Sequence, residues 1–192
     1  LSESQTLAMT RKSRELRAKG IDVINLSIGE PDFDTPEFIK EAAAEAIKNN
    51  VTHYPPVPGY EDLRKAISNK FKRDNNLEYN PEQIVVSTGA KQSLANVFLS
   101  LVNPEDEVLL PAPFWVSYLE IVKLAEGSPI VLDADIQQDF KITADQIENA
   151  ITNKTKLIVF SSPCNPTGSV YTKPELEEIA NVLSKHPEIF IV

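Results

Sequence analysis

From Ile84 to Val192, short apolar runs alternate with stretches in which apolar residues recur every three or four positions. The runs IVVS (Ile84–Ser87), EVLL (Glu107–Leu110), PIVL (Pro129–Leu132), KLIVF (Lys156–Phe160) and EIFIV (Glu188–Val192) have the length of strands. They lack a polar alternation, which suits strands covered on both faces. Between them the spacing predicts helices over Lys91–Leu101, Trp115–Ala125, Ala144–Ile151 and Pro174–Ser184. Two helix starts carry a capping box, Thr143 with Gln146 and Thr172 with Glu175.

The chain before Ile84 is less regular. Glu3–Lys19 places Leu7, Ala8, Leu16 and Ala18 among many charges and stops at Gly20, the pattern of a surface helix with a glycine stop. VINL (Val23–Leu26) predicts a short strand and SIGEPDFDTP a loop. Thr35 followed by Pro36 reads as an N-cap with proline at the first helical position, opening a helix that runs to Lys48. Pro55, Pro56 and Pro58 remove backbone donors and exclude regular structure from THYPPVPGY, after which a helix is expected from Tyr60 to Asp74.

Strands alternating with helices imply an α/β fold of three layers, α/β/α, around a mostly parallel sheet. The change of pattern suggests two parts: residues 1–37 as an N-terminal arm or small-domain segment, and 38–192 within the large layered domain. Ligands of such sheets bind outside the carboxyl ends of the strands. Three loops follow predicted strands, Thr88–Gln92, Pro111–Trp115 and Ser161–Gly168, and are expected to converge there.

Composition narrows the function. With 192 residues and 42% apolar content the chain can build a core. No run approaches the roughly 20 apolar residues of a membrane span, and the start has no secretory signature, so a cytoplasmic protein with no membrane partner is expected. A net charge of −9 without a Lys/Arg block argues against nucleic acid. The single cysteine, Cys164, excludes an internal disulfide, and no metal-ligand spacing occurs. The chain stops on the apolar strand EIFIV, with no turn or helix after it; truncation is the expectation.

Each candidate motif has a structural as well as a functional reading. Thr88-Gly89-Ala90-Lys91-Gln92 is either an ordinary strand-to-helix turn or an anion cup, in which backbone amides and the helix dipole face a phosphate. It matches neither the P-loop nor the dinucleotide fingerprint. Trp115, the only tryptophan, either fills core or stacks on a flat heterocycle. Asn165 in SSPCNPTGS either serves its own turn or presents its amide to a ligand oxygen. Tyr54 and His53 precede prolines in a loop, where aromatics commonly pack. Nothing near Cys164 lowers a thiol pKa, and His186 reads as a surface residue.

In order and spacing, SIGEPDFDTP, HYPPVPGYEDLR, STGAKQSL, PAPFWVSY and SSPCNPTG together resemble the class I pyridoxal-phosphate aminotransferases of the aspartate aminotransferase fold (fold type I), above all the bacterial aspartate branch. The resemblance covers nearly the whole chain. It implies pyridoxal 5′-phosphate as cofactor, an electron sink whose ring the protein positions and whose phosphate it holds. Asn165 would donate to the cofactor's phenolic oxygen. Trp115 would stack on the pyridine ring and offer its indole N–H to a substrate carboxylate. Gly89, Ala90 and Lys91 would form the phosphate cup, and Tyr54 would reach the phosphate of the neighbouring subunit in a homodimer with a shared active site. Gly29 would lie beside the substrate α-carboxylate, and Asn165 and Trp115 would also border the substrate.

The family's Schiff-base lysine, pyridinium aspartate and α-carboxylate arginine are expected beyond Val192, so these residues resemble an N-terminal portion that is inactive alone. The implied reaction is amino-group transfer between an amino acid, aspartate favoured, and a 2-oxo acid such as 2-oxoglutarate. Alternatives are a prephenate or aromatic aminotransferase and a non-catalytic effector-binding domain on the same fold. A nucleotide-binding α/β domain lacks its fingerprints.

Overall fold

The computed structural model describes residues 5–26 and 28–192. Its contacts divide the chain into two compact units, one of residues up to Ala8 together with Lys91–Val192, the other of Met9–Ala90.

The first unit holds the sheet. Strands β1 (Glu107–Ala112), β2 (Ser128–Asp133), β3 (Thr155–Ile158) and β4 (Phe190–Ile191) lie in the order β2-β1-β3-β4, and every pair is parallel. Parallel neighbours cannot be joined by a tight turn, so each connection crosses a face of the sheet through a helix. Helices α4 (Ala90–Leu101) and α5 (Ser117–Leu124) cover one face, and α6 (Ala144–Ala150) and α7 (Lys173–Leu183) the other.

Side chains that alternate along β1 build both cores. Val108 and Leu110 point into a cluster with Phe98, Tyr118, Ile121 and Val122, whereas Leu109 joins Ile147, Ile158, Ile179 and Leu183 on the opposite face. Val108, Leu109 and Leu110 are all fully buried. This is why EVLL shows no polar alternation in the sequence. The α/β class with a parallel sheet between helical layers is thus the observed architecture.

Both capping boxes are formed. Thr143 Oγ1 accepts from the Gln146 N–H at 3.2 Å while Gln146 Oε1 accepts from the Thr143 N–H at 2.9 Å. In the second box Glu175 does more than cap. Its carboxylate accepts from the Thr172 N–H at 2.6 Å and from Lys141 Nζ at 2.7 Å, tying the segment before α6 to the start of α7. The Lys141 ammonium and the two Thr172 donors hold the Glu175 carboxyl down at about 2, from an ordinary 4.5.

In the Met9–Ala90 unit, α2 (Glu37–Lys48) and α3 (Glu61–Asn75) contain no buried residue. The proline loop is closed by the Gly59 N–H donating to Pro56 O at 2.8 Å and the Val86 N–H donating to Pro58 O at 3.0 Å. Gly59 has φ +96°, and a Cβ there would sit 2.7 Å from Val86 Cγ2, so both backbone angle and space call for glycine.

Several expected elements differ. VINL is not a strand: Ile24 and Leu26 are exposed, and Val23 O accepts from Arg17 Nη2 at 3.0 Å instead of from a ladder. IVVS is extended but unladdered, because the Val86 N–H is taken by the proline loop. Pro36, not Thr35, caps α2; its ψ of 140° keeps it outside the helix. Helix α5 begins at Ser117, two residues after Trp115. The helix from residue 3 is described as α1 (Gln5–Ala18), and residues 3 and 4 lie outside the described residues.

Two outcomes follow. Leu109→Ala, which empties a fully buried site between α6 and α7, should cost about 2–5 kcal/mol in urea unfolding. Because the folded-state pKa of Glu175 is depressed, its stabilisation is complete above the ordinary 4.5 and lost as pH falls toward about 2. Glu175→Gln should therefore flatten the acid limb of the thermal-stability profile between those values while leaving the helix cap in place.

Candidate active site

The strand order places a switch point between β1 and β3. From β1 the chain goes outward through α5 to β2, and from β3 it goes outward the other way through α7 to β4. Right-handed crossovers in opposite directions put α5 and α7 on opposite faces, so the loops leaving β1 and β3 part and open a crevice at the carboxyl ends.

The two loops meet there. The Cys164 thiol donates to Pro113 O at 3.3 Å, and Phe114, Phe160, Ser161 and Tyr171 line the same small crevice. The peptide bonds before Pro113, Pro163 and Pro166 are cis. Behind the second loop, the Tyr171 N–H donates to Ser162 Oγ at 3.0 Å and the Tyr171 hydroxyl accepts from the Ile142 N–H at 3.0 Å. Burial pushes the Tyr171 phenol pKa up, so this hydroxyl stays protonated.

Asn165 stands at the exposed tip of the second loop. The tip is closed by the Cys164 N–H donating to Ser169 O at 2.9 Å and the Gly168 N–H donating to Cys164 O at 2.8 Å. The Asn165 N–H reaches Ser161 Oγ at 3.4 Å. Trp115, partly buried against the α4–α5 core, meets Tyr118 edge-on with ring centroids 5.6 Å apart. Lys91 Nζ lies over the Trp115 ring, 4.9 Å from its centroid. The fold thus brings Lys91 to Trp115, and the Asn165 loop to the Trp115 loop.

Gly89, with φ +83°, leads directly into α4, whose first turn of Ala90, Lys91 and Gln92 contains no acidic residue. The initial N–H groups of a helix have no intrahelical acceptors, and its dipole is positive at that end. Gly29 and Tyr54 belong to the Met9–Ala90 unit, in exposed loops, with open space around the position of a Gly29 Cβ and Tyr54 fully exposed. His53 is also exposed. Among the described residues no group of three or more His, Cys, Asp or Glu side chains gathers to hold a metal, and no helix is long and apolar enough to cross a membrane. The supports Ser161, Ser162 and Tyr171 were not singled out from the sequence. Hydroxyls flanking Pro163, able to accept from loop amides, are the one local sign of them.

A parallel α/β sheet with helices on both faces and a crevice at its switch point, beside an Asn-Pro-Thr-Gly loop, defines an open α/β fold of the class that binds ligands at that point. The sequence pattern of the aminotransferase class I and II family matches residues 21–192, and the chain belongs to that family. It is 50% identical over 191 residues to an aspartate/prephenate aminotransferase from Nitrosomonas europaea, covering 100% of this chain and 48% of that protein. It is 52% identical to an aspartate aminotransferase from a Bacillus species, covering 95% and 46% respectively. Among solved structures, the aspartate aminotransferase of Rhizobium meliloti superposes with a TM-score of 0.94 at 39% identity, covering all of this chain and 48% of that one. That of Thermus thermophilus, solved with maleate, gives 0.94 at 41% identity, covering all of this chain and 50% of the other. The chain spans about half the length of the relatives it matches.

Trp115 is the only tryptophan of residues 1–192, so the fluorescence of these residues reports this site alone. Lys91→Met, which removes the cation above the indole, should alter the emission spectrum while costing at most about 1 kcal/mol in stability.

Proposed function

We propose that the chain is part of a pyridoxal-phosphate-dependent aminotransferase that exchanges an amino group between aspartate and a 2-oxo acid such as 2-oxoglutarate. The observation that carries this reading is the meeting of the Asn165 loop with the Trp115 loop at the switch point, in a member of the aminotransferase family. When bound, pyridoxal phosphate supplies an electron sink for the bonds of the substrate α-carbon.

The residues present fit that group. The start of α4, free of carboxylates and preceded by Gly89, suits a phosphate, which Gly89, Ala90 and Lys91 would hold. Trp115 offers an indole face held by Tyr118 and would pack on the ring. Asn165, on a loop closed by its own backbone bonds, would donate its amide to the phenolic oxygen. Gly29 would leave space for the substrate α-carboxylate, and Tyr54 would reach the phosphate site of a second copy in a homodimer. Trp115 Nε1–H would meet the substrate's second carboxylate, with Asn165 also bordering the substrate. The covalent step is assigned to no residue of this chain. We propose the cytoplasm as the location, and residues 1–37 as an N-terminal arm or small-domain segment with 38–192 as part of the large domain, on the change of sequence pattern between them.

The aspartate aminotransferase of Thermus thermophilus was solved with the dicarboxylate maleate, which supports a substrate with two carboxylates. Prephenate is a second substrate to test, because several relatives are named for both activities. Purified full-length protein should take up pyridoxal phosphate with a new visible absorbance band and convert aspartate and 2-oxoglutarate to oxaloacetate and glutamate. Asn165→Ala should retain its far-UV circular dichroism while shifting the pH titration of that band. A protein that neither takes up the cofactor nor transaminates, or an Asn165→Ala titration identical to the parent, would sink the assignment.

A further inference from the structure

We infer that Cys164 is a positioning residue whose thiol, by donating to the carbonyl of Pro113, sets the spacing between the loop that carries Asn165 and the loop that carries Trp115. The inference rests on the function proposed above and adds a residue to it.

Cys164 occupies the neck of its loop. Its own N–H and C=O close the tip, through Ser169 O at 2.9 Å and the Gly168 N–H at 2.8 Å, so the orientation of Asn165, the next residue, follows that of Cys164. The Cys164 side chain then leaves the loop and bridges 51 positions of sequence to Pro113, two residues before Trp115. One residue is thus bonded on both sides of the switch point. The distance of 3.3 Å suits a sulfur donor.

A thiol suits this place for a second reason. It is half-buried and lines the same crevice as Phe114, Phe160 and Tyr171, an aromatic setting that suits a small apolar group still able to donate weakly. No reactivity is asked of it. The ring of a bound cofactor would contact Trp115 on one loop and Asn165 on the other, so any change in loop spacing would alter both contacts together. Misplacement of a contacting group on the scale of 1 Å is enough to slow a reaction severely.

Two variants separate the hydrogen bond from the packing. Cys164→Ala removes donor and volume; Cys164→Val removes the donor without leaving a void. In the cofactor-free full-length protein, with any tryptophan outside residues 1–192 replaced by phenylalanine, both should make Trp115 fluorescence more accessible to acrylamide while far-UV circular dichroism stays unchanged. With cofactor, both should shift the pH titration of its absorbance band in the same direction as Asn165→Ala, and kcat/KM for aspartate should fall about tenfold. If Asn165→Ala moves the titration and neither Cys164 variant does, Cys164 has no positioning role although the proposed function stands. If Cys164→Val matches the parent and only Cys164→Ala differs, packing and not the hydrogen bond spaces the loops, and the inference is overturned. If Asn165→Ala itself leaves the titration unmoved, the functional assignment is what fails.

Discussion

The burial of β1 on both faces is the constraint from which the rest follows. Val108 and Leu110 must be covered on one side and Leu109 on the other, so helices have to be delivered to both sides of one sheet. Each crossover returns with the same hand, and only outward winding in two directions supplies both layers. The chain meets this with the order β2-β1-β3-β4. The gap between the loops of β1 and β3 is a by-product of covering the core, and the candidate site occupies it.

Charge contributes less to holding this fold together. Among the described residues, several ion pairs join residues three or four apart on exposed helix surfaces, such as Glu61 with Lys65 and Lys173 with Glu177, where solvent screening leaves each little net stabilisation. Lys141 differs, with 14% of its side chain exposed and bonds to Asp139, Glu175 and the carbonyl of Val170. It joins segments distant in sequence, so its pairing specifies how the loop before α6 meets α7.

Much of this arrangement was legible because it is local. The strands from Glu107 onward announce themselves as apolar runs, and the capping boxes at Thr143 and Thr172 mark helix starts by side chains three residues apart. The loops with Trp115 and Asn165 stood out as Pro- and Gly-rich segments immediately after buried runs. VINL and IVVS misled because an apolar run becomes a strand only where a partner edge is offered; the Val86 N–H found Pro58 O, and Val23 O found an arginine. The bond from the Cys164 thiol to Pro113 O was not legible, because its partner lies 51 residues away and no local pattern encodes a bond of that range. The same holds for Tyr171, whose hydroxyl meets the backbone of Ile142, 29 positions earlier.

The separation between the two crevice loops also ties the crevice to completed folding of this unit. A contact across 51 residues closes a longer loop than the pairing of β1 with β2 and carries the larger loop-closure entropy. The neighbouring pair β1 and β2 needs only α5 between its strands and can close earlier. The crevice exists only in chains in which β3 has docked beside β1. A ligand held by both loops would bind only chains that have completed that docking, and by mass action would draw the folding equilibrium toward them.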